Sequence, residues 1–258
     1  MKAWLVRTLL TGMLVLGARP ATAQNYLPAI DTMSVEMARQ RLTGDERRLA
    51  DWPNLGRYGS ANAELGAPKP GEKRVVFYGN SITDAWAKYF PAEFPGRPYV
   101  GRGISGQTTP QMLVRFRQDV IDLKPAAVLI LAGTNDIAGN TGPSSLEMIE
   151  GYLTSMVELA RANGIRPVLS SVLPAFDYPW RPGVQPAETI VVLNGWMKAY
   201  AGAHHVVYLD YWTPMADARH GLRADLTTDG VHPNEAGYQL IAPLAERAIE
   251  QALKAKAP

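Results

Sequence analysis

The 258-residue sequence contains no cysteine, so it can form neither a disulfide nor a thiolate metal site. A lipid-modified cysteine at an export cleavage site is excluded for the same reason. The apolar stretch near the start, "TLLTGMLVLG" from Thr8 to Gly17, is far shorter than the roughly 18–20 residues that a transmembrane helix needs. These absences argue against a disulfide scaffold, a lipoprotein anchor and a membrane-spanning helix.

The first 23 residues have the three parts of a secretory signal peptide. Lys2 and Arg7 give a basic start, the apolar stretch follows, and Ala21 and Ala23 supply the small residues of a cleavage site. We therefore predict cleavage near Ala23 and a secreted or periplasmic mature protein. A membrane anchor is the alternative, and the shortness of the apolar stretch argues against it.

Positive charge is scarce once that signal is set aside. Its removal takes away Lys2, Arg7 and Arg19 and no acidic residue, so the formal net charge falls from +2 to −1. Nucleic-acid binding needs a concentrated basic surface. The arginines between residues 39 and 48 are interspersed with acidic residues, which is typical of a solvated helix face. The charge pattern therefore gives no support to nucleic-acid binding.

Apolar segments typical of buried strands alternate with helical patterns from Lys73 onward. The predicted strands are residues 74–79, 99–104, 126–133, 165–173 and 205–212. Between them apolar residues recur at steps of three and four, as in the helix that we predict to open with Ser144 and Glu147, which have capping-box spacing. Continuous apolar strands alternating with helices predict an α/β fold whose parallel sheet is covered on both faces.

The segment before this alternation has a different pattern. Residues 24–70 contain helical fragments interrupted by Gly44 and Pro53, and they end in the Gly/Pro-rich "ELGAPKPGEK". We predict a helical leader that packs on the domain formed by residues 71–258. A mature chain of this length is sufficient for one domain with a large core.

Small and polar residues collect after the predicted strands. "GNSITDAW" follows the first, "GRGISGQTT" the second and "GTNDIAGN" the third, while "TTDGVHPNEAGY" precedes the last helix. In an open parallel sheet such segments meet at the carboxyl edge, where ligands bind. None of them carries two or three histidines or carboxylates at the spacing of a metal site, so no metal is predicted.

These four segments, in this order, resemble the motifs of the SGNH hydrolases, also called GDSL-type lipases or acylhydrolases. The resemblance covers the chain from the first predicted strand to its end. It implies a flavodoxin-like three-layer α/β/α sandwich with a mainly parallel five-stranded sheet. It also implies a serine esterase that needs no cofactor, with Ser81 as nucleophile in a triad with Asp229 and His232. The implied oxyanion hole consists of the backbone N–H groups of Ser81 and Gly106 and the side chain of Asn135.

The local sequence supports these roles. Ser81 follows a strand and precedes a helical pattern, so it lies at a helix N-terminus, which favours a developing anion. Asn135 follows a strand end, where a side-chain amide can donate to that anion. Pro233 disfavours helical backbone at His232 and suits the first helical position after it, which leaves the imidazole free to orient beside Asp229.

The segment "GRGISG", Gly101 to Gly106, matches the G-x-G-x-x-G fingerprint of a dinucleotide site. That fingerprint needs an acidic residue about 20 positions later, at the end of the next strand. Here Lys124 and Pro125 stand near that position, before the strand, and the match occurs in the second strand–helix unit instead of the first. We therefore attribute Gly106 to a close approach between backbone and substrate. A cofactor-dependent oxidoreductase is the weaker alternative.

Two features beside the nucleophile differ from common serine-hydrolase patterns. Gly79-Asn80-Ser81 replaces the usual Gly-Asp-Ser of the family, which removes a charge and adds a donor. We predict that Asn80 contributes to substrate binding, and its effect on the nucleophile stays open. Thr83 occupies the final glycine position of G-x-S-x-G, which argues against the elbow of an α/β-hydrolase.

The predicted substrate is a short-chain ester, with acetate on carbohydrate as the favoured case. Export would place the enzyme among extracellular glycans. The sequence also has no pair of long apolar helices of the kind that forms the lid of a lipase. The loop of residues 174–186 contains Phe176, Tyr178 and Trp180 among four prolines. Such rings can stack on a sugar, and we predict that Tyr178 and Trp180 do so; each ring can instead hold the loop against the core.

Two other functions are open alternatives to this esterase. One is a broader lipase or acylhydrolase that acts on lipid esters. The other is a non-catalytic, carbohydrate-binding relative, which the intact set of predicted catalytic residues argues against. The predicted partner is a small-molecule or glycan ester, and the sequence does not define an oligomeric state.

Overall fold

The computed structural model describes residues 34–255, apart from the side chains of residues 47 and 48. The predicted signal peptide, residues 1–23, and the start of the predicted leader lie outside this range. The chain divides into two compact units between Glu46 and Arg47, and the sheet and all predicted site residues belong to the second unit. Across residues 34–255, no helix combines the length and the apolar character needed to cross a membrane.

The described residues contain five β-strands, ten α-helices and four short 3₁₀ helices. The strands are β1 Val75–Gly79, β2 Tyr99–Gly103, β3 Ala127–Leu131, β4 Arg166–Ser170 and β5 Val207–Leu209. The α-helices are α1 Val35–Ala50, α2 Gly59–Leu65, α3 Ser81–Trp86, α4 Phe90–Glu93, α5 Thr109–Asp119, α6 Thr134–Ile137, α7 Leu146–Ala162, α8 Ala187–Ala203, α9 Trp212–Met215 and α10 Glu235–Lys254. The 3₁₀ helices are Leu55–Tyr58, Ala87–Tyr89, Ile121–Leu123 and Ala224–Leu226.

The five strands form one parallel sheet in the order β2-β1-β3-β4-β5. Gly79 at the end of β1 is level with Gly103 on β2 and with Leu131 on β3. The loops that follow these three strands therefore leave the carboxyl edge of the sheet side by side. The direction of winding reverses between β1 and β3, which is the switch point where open α/β sheets bind ligands.

Alternate strand residues pack into cores on opposite faces of the sheet. Tyr78 and Ile130 belong to one buried cluster, together with residues of α5, α7 and α8. Phe77 and Leu129 belong to the other, together with residues of α3 and α10. Each fully buried side chain of this kind contributes roughly 1.5–3 kcal/mol. The predicted three-layer α/β/α sandwich with a parallel five-stranded sheet is confirmed.

Two predicted helix starts are wrong by one or two residues. The N-cap of α7 is Ser145, whose hydroxyl accepts the N–H of Met148 at 3.3 Å, so the capping box predicted at Ser144 does not form. The N-cap of α10 is Asn234, so Pro233 lies before the helix instead of at its first position. In both cases a neighbouring polar side chain is the better cap, because it reaches a free N–H of the first turn.

Residues 51–65, within the predicted leader, are hydrogen-bonded to the β2–α5 region. Three glutamine side chains, Gln107, Gln111 and Gln118, donate to backbone carbonyls of residues 53, 52 and 55 at 2.6–2.7 Å. Asn62 donates to the carboxylate of Asp119 at 2.7 Å. The three glutamine bonds satisfy backbone carbonyls of a segment that belongs to no strand. The predicted domain boundaries themselves stay a prediction.

Candidate active site

Ser81 is the first residue of α3, and only Asn80 separates it from the end of β1. Asn80 caps this helix, because its Oδ1 accepts the N–H of Ile82 at 3.2 Å. The side chain of Asn80 is 1 % exposed. Asparagine and aspartate are comparable N-caps, so the replacement of the usual aspartate retains the cap and leaves out a charge beside Ser81.

Glycines of the "GRGISG" segment bring the helix that carries Ser81 close to the sheet. A Cβ atom on Gly103 would lie 2.1 Å from the backbone nitrogen of Asp84 and 2.6 Å from the carbonyl oxygen of Asn80. Any side chain at this position would displace α3. Gly106 has φ +80°, a conformation that other residues rarely adopt. Helix packing and loop geometry therefore account for the motif.

Ser81, His232 and Asp229 form a chain of hydrogen bonds. The Oγ of Ser81 lies 2.8 Å from Nε2 of His232, and Nδ1 of the same ring lies 2.6 Å from Oδ2 of Asp229. The other carboxylate oxygen of Asp229 accepts the backbone N–H groups of Val231 and His232 at 2.9 and 2.7 Å. The loop before α10 therefore fixes the aspartate, which in turn orients the imidazole.

The charge of Asp229 is stabilised in this arrangement. Partial burial opposes ionisation, but the hydrogen bonds from the backbone and ring of His232 and from the N–H of Val231 outweigh it and lower the pKa of Asp229 below its usual value. An ionised carboxylate can only accept hydrogen bonds, so Nδ1 of His232 carries a proton. Nε2 is then free to accept the proton of Ser81.

Asn135 lies on α6, the short helix that follows β3, and is 2 % exposed. Its Nδ2 donates to the carbonyl of Gln107 at 2.8 Å, and its Oδ1 accepts a hydrogen bond from Asn140 at 3.0 Å. The same Nδ2 of Asn140 also lies 3.1 Å from the carbonyl oxygen of Gly106. The structure therefore joins Asn135 to the Gly106 loop and fixes the direction of its amide.

Three hydrogen-bond donors remain available at the level of the strand ends. In the described part of the chain, the backbone N–H groups of Ser81 and Gly106 donate to no protein acceptor. The amide nitrogen of Asn135 has a second hydrogen beyond the one bonded to Gln107. Three preorganised donors of this kind are what an oxyanion requires.

Of the residues predicted to bind substrate, Trp180 presents its side chain to solvent and Tyr178 does not. Tyr178 is 1 % exposed, and its hydroxyl lies 2.9 Å from that of Thr134. Its ring stacks on Trp180, with 5.0 Å between centroids. Trp180 is 43 % exposed, donates to Oδ1 of Asn140 at 3.2 Å and lies 6.0 Å from the ring of His232.

Asn80 and Tyr178 therefore have supporting positions. Their burial leaves Trp180, of the three predicted substrate-binding residues, as the one whose side chain a substrate can reach. The capping role explains the burial of Asn80, and the hydrogen bond with Thr134 explains that of the Tyr178 hydroxyl. Phe176 is exposed and lies under the guanidinium of Arg219, 4.7 Å from ring centroid to Cζ.

A buried arginine that no sequence pattern indicates connects the carboxyl ends of β1 and β2. Arg115 on α5 is fully buried and donates to the carbonyls of Gly79 and Arg102 at 2.9 and 3.0 Å. It also donates to the side chain of Gln107 at 2.5 Å and pairs with Asp119 at 3.0 Å. Arg115 and Asp119 stand four residues apart on a helix, a spacing that indicates an ion pair. Exposed ion pairs have the same spacing, so the sequence does not show that this pair is buried.

Asp136, beside Asn135, is a second buried charge-bearing group. Its carboxylate accepts the backbone N–H of Thr109 at 2.9 and 3.1 Å and the hydroxyl of the same residue at 2.6 Å. Burial raises the pKa of Asp136 to about 6, although the bonds from Thr109 oppose the rise. This carboxyl group holds the start of α5 against the loop after β3.

The described residues contain no group of three or more histidine, aspartate, glutamate or cysteine side chains that could hold a metal ion. Hydrogen bonds join a serine, an imidazole and a carboxylate, and three N–H donors follow the neighbouring strands β1, β2 and β3. These are the parts of a nucleophilic acyl-transfer site.

Comparison with known proteins agrees with this geometry. A model of the GDSL-like lipase/acylhydrolase family matches residues 76–240, which include every predicted catalytic and oxyanion residue. The chain belongs to this family. Membership confirms the predicted superfamily and the predicted class of enzyme, the carboxylic ester hydrolases. The match begins at the second residue of β1 and ends within α10, so it includes all five strands apart from Val75.

Solved structures of the family have the same fold. A GDSL-like lipase from Bacteroides thetaiotaomicron VPI-5482 is 46 % identical, covers 78 % of this chain and 98 % of its own, and has a TM-score of 0.75. An acetylxylan esterase from Geobacillus stearothermophilus is 23 % identical over 69 % of this chain and 94 % of its own, with a TM-score of 0.55. The second likeness is evidence for the fold alone.

Two further relatives are similar to this chain over less than half of their own length. An acetylxylan esterase from Xylanibacter ruminicola is 26 % identical over 71 % of this chain and 44 % of its own length. An uncharacterized lipoprotein from Bacillus subtilis is 37 % identical over 29 % of this chain and 32 % of its own length. This chain therefore spans less than half the length of either relative.

Proposed function

We propose that this protein is a serine esterase that removes short acyl groups, in particular acetate, from carbohydrate. The observation that carries the proposal is the continuous hydrogen-bonded chain from Ser81 through His232 to Asp229. A serine beside an oriented imidazole is an activated nucleophile. A serine that only caps a helix, or a non-catalytic relative, needs no such chain.

In the first step, the Oγ of Ser81 attacks the acyl carbonyl while Nε2 of His232 takes its proton. The ionised Asp229 stabilises the imidazolium that forms. The negative charge on the carbonyl oxygen is bound by the N–H groups of Ser81 and Gly106 and by the amide of Asn135. When the tetrahedral intermediate collapses, the imidazolium gives its proton to the leaving alcohol, and the acyl group stays on Ser81.

In the second step, water replaces the alcohol. His232 takes a proton from the water molecule, which attacks the acyl carbonyl of the ester on Ser81. The same three donors bind the second oxyanion. The imidazolium then returns its proton to Oγ of Ser81, and the free acid leaves. This chain's own residues supply the nucleophile, the base and the oxyanion donors for both steps.

The relatives and the surface beside the triad support acetate on a sugar as the substrate. An enzyme named as an acetylxylan esterase is among the relatives, at 26 % identity. The exposed indole of Trp180 lies 6.0 Å from the ring of His232, where it can contact the alcohol part of an ester. Its attachment to Tyr178 and Asn140 makes it a rigid platform for a flat sugar face.

Export is the second part of the proposal. The basic start, short apolar stretch and small residues up to Ala23 are the support for a signal peptide, and cleavage there would release a secreted or periplasmic enzyme. The relative named as a lipoprotein is compatible with a location outside the cytoplasm. N-terminal sequencing of the protein from the culture medium and the periplasm tests the cleavage site directly.

A series of esters of one alcohol tests the acyl preference. We expect kcat/KM to fall from acetate to butyrate to octanoate, and we expect release of acetate from acetylated xylan. The family also contains enzymes named lipases, so a broader acylhydrolase is the competing function. Rates that rise steadily to octanoate, with no acetate released from any glycan, would overturn the proposal in favour of that alternative.

A further inference from the structure

A cleft of about 960 Å³ opens beside the candidate active site and extends beyond the proposed catalytic residues. One end is lined by Gly106 of the oxyanion loop and by Asn140 and Trp180. The other end is lined by residues 50–54, which precede the first strand. Ligand pockets have volumes of roughly 300–1,000 Å³, so this cleft is far larger than an acetyl group needs.

Both tryptophans of this cleft are exposed; hydrogen bonds fix the backbone at Trp52, and contacts of the ring itself fix Trp180. Trp52 is 41 % exposed, and its own carbonyl accepts a hydrogen bond from Gln111 at 2.7 Å. The next carbonyl, of Pro53, accepts one from Gln107. Trp180 is held by its stacking on Tyr178 and its bond to Asn140. Large apolar rings that are exposed and preorganised are typical of a binding surface.

The lining of the cleft favours a neutral, hydroxyl-rich ligand. Among the described residues that line it, only Asp51 carries a charge, and its carboxylate oxygens accept the N–H groups of Leu55 and Gly56 at 2.7 and 3.0 Å. Its aliphatic lining is limited to Ala50 and Ile104 in this part of the chain, too little to bury an acyl chain. The other lining side chains are amides, hydroxyls and the two indoles.

We infer that this cleft binds the sugar units that flank the acetylated unit, with Trp52 as a second stacking platform beyond Trp180. The substrate is then an acetylated oligosaccharide or polysaccharide, not a monosaccharide or a lipid. The inference rests on the proposed function and adds a residue of the segment before β1, outside the stretch that matches the family. Trp52 contacts the chain of the substrate and takes no part in the bond that breaks.

Kinetics on substrates of different length test the role of Trp52. For the wild type, we expect kcat/KM on acetylated xylo-oligosaccharides to rise with the number of sugar units. Trp52→Ala should remove this rise, lowering kcat/KM on the longest substrate by roughly tenfold, mainly through KM. The same variant should keep kcat/KM on 4-nitrophenyl acetate within about twofold, because this ester does not extend to Trp52.

Two further variants separate a stacking role from a structural one. Trp52→Phe keeps an aromatic face and should recover part of the length dependence. Leu55→Ala removes an exposed side chain of the same segment that does not line the cleft, and it should match the wild type on all substrates. Equal losses on 4-nitrophenyl acetate and on long substrates, or a wild type without length dependence, would overturn the inference.

A binding measurement distinguishes failure of this inference from failure of the proposed function. Calorimetry with Ser81→Ala and xylohexaose requires no turnover, and we expect binding that Ser81→Ala/Trp52→Ala weakens by about tenfold. Absence of binding, or equal affinity of the two proteins, would overturn the cleft assignment alone. Failure of the wild type to release acetate from any glycan would instead contradict the proposed function.

Discussion

The three residues of the proposed triad have unequal proposed roles, so their substitutions should have unequal effects. His232→Ala removes the base and should lower kcat/KM on an aryl acetate by on the order of 10⁴–10⁶-fold. Asp229→Asn keeps the shape of the side chain but loses the charge that orients and stabilises the imidazolium, so its loss should be about one to two powers of ten smaller. Equal losses in the two variants would contradict this division of roles.

Asn135 is the side-chain donor of the proposed oxyanion hole. Asn135→Ala should lower kcat by roughly 100- to 1,000-fold with little change in KM, because the donor acts on charge that develops in the transition state. Asn163→Ala, at the exposed C-terminal end of α7, is the matched control and should leave kcat unchanged. An unchanged kcat in Asn135→Ala would exclude this side chain from the oxyanion hole.

Sequence patterns identified residues with short-range signatures but not those whose role depends on the fold. Ser81, Asn135 and His232 each stand in a motif at an element boundary, and the structure places them at the carboxyl edge of the sheet. Asn140 has no pattern of its own, because its contacts with Gly106 and Asn135 arise only when the loops after β2 and β3 meet. The catalytic roles of Ser81, Asn135 and His232 stay predictions until the variants are measured.

At the scale of elements, Arg115 on α5 connects the ends of β1 and β2. Its replacement leaves the buried carboxylate of Asp119 without its ion-pair partner and removes one of the two hydrogen bonds to the carbonyl of Gly79, so Arg115→Ala should lower the free energy of unfolding by about 3–5 kcal/mol. Arg117→Ala on the same helix is the control. Arg117 is exposed and 3.8 Å from Asp122, so we expect a change of at most about 1 kcal/mol.

Urea unfolding of both variants beside the wild type measures these free energies. Equal and small effects of Arg115→Ala and Arg117→Ala would show that the buried arginine does not stabilise the junction of the strands. If Arg115→Ala fails to fold, Arg115→Lys, which retains the charge but lacks the planar fork, should be folded and less stable than the wild type.

Asp136 makes the attachment of α5 sensitive to pH. Its pKa is about 6 in the folded chain against 3.8 ordinarily, so between these values the folded state keeps a proton that the unfolded state has lost. Stability from this group therefore falls as the pH rises from about 4 to 6 and is constant above that. As the pH rises through this interval, the free energy of unfolding of Asp136→Asn should increase relative to that of the wild type by on the order of 1–3 kcal/mol.

Chemical unfolding of the wild type and Asp136→Asn at several pH values, at constant ionic strength, measures that difference. A difference that stays constant from pH 4 to pH 7 would contradict the assignment of the raised pKa to Asp136. Direct comparison with the asparagine variant removes the contribution of the other titrating groups, which both proteins share.

The elements themselves were largely predictable, and their ends were not. All five strands were located by continuous apolar segments, because a sheet covered on both faces requires them. The last strand was predicted as residues 205–212 but is Val207–Leu209. His205 has φ +54°, so it belongs to the turn after α8, and α9 begins at Trp212. Apolar residues in a turn and a short helix extended the pattern beyond the strand.

At the scale of the whole molecule, the catalytic edge combines parts that are far apart in the chain. The proposed nucleophile follows β1, the proposed oxyanion donors follow β1, β2 and β3, and the proposed base precedes α10. Residues 50–54 add the far end of the cleft. The sequence predicts that the segment before β1 is a leader and indicates no role for Trp52, since an isolated tryptophan between helical fragments has no diagnostic spacing.

The central claim is that Ser81 becomes acylated during turnover, and mass spectrometry tests it most directly. The protein is mixed with an excess of an aryl acetate, quenched in acid within one turnover and digested. We predict an acetyl group on Ser81 in the wild type, a larger acetylated fraction in Asp229→Asn if deacylation is slowed more than acylation, and none in Ser81→Ala, which should be folded and inactive. An acetyl group on another residue during turnover, or hydrolysis retained by Ser81→Ala, would contradict the account.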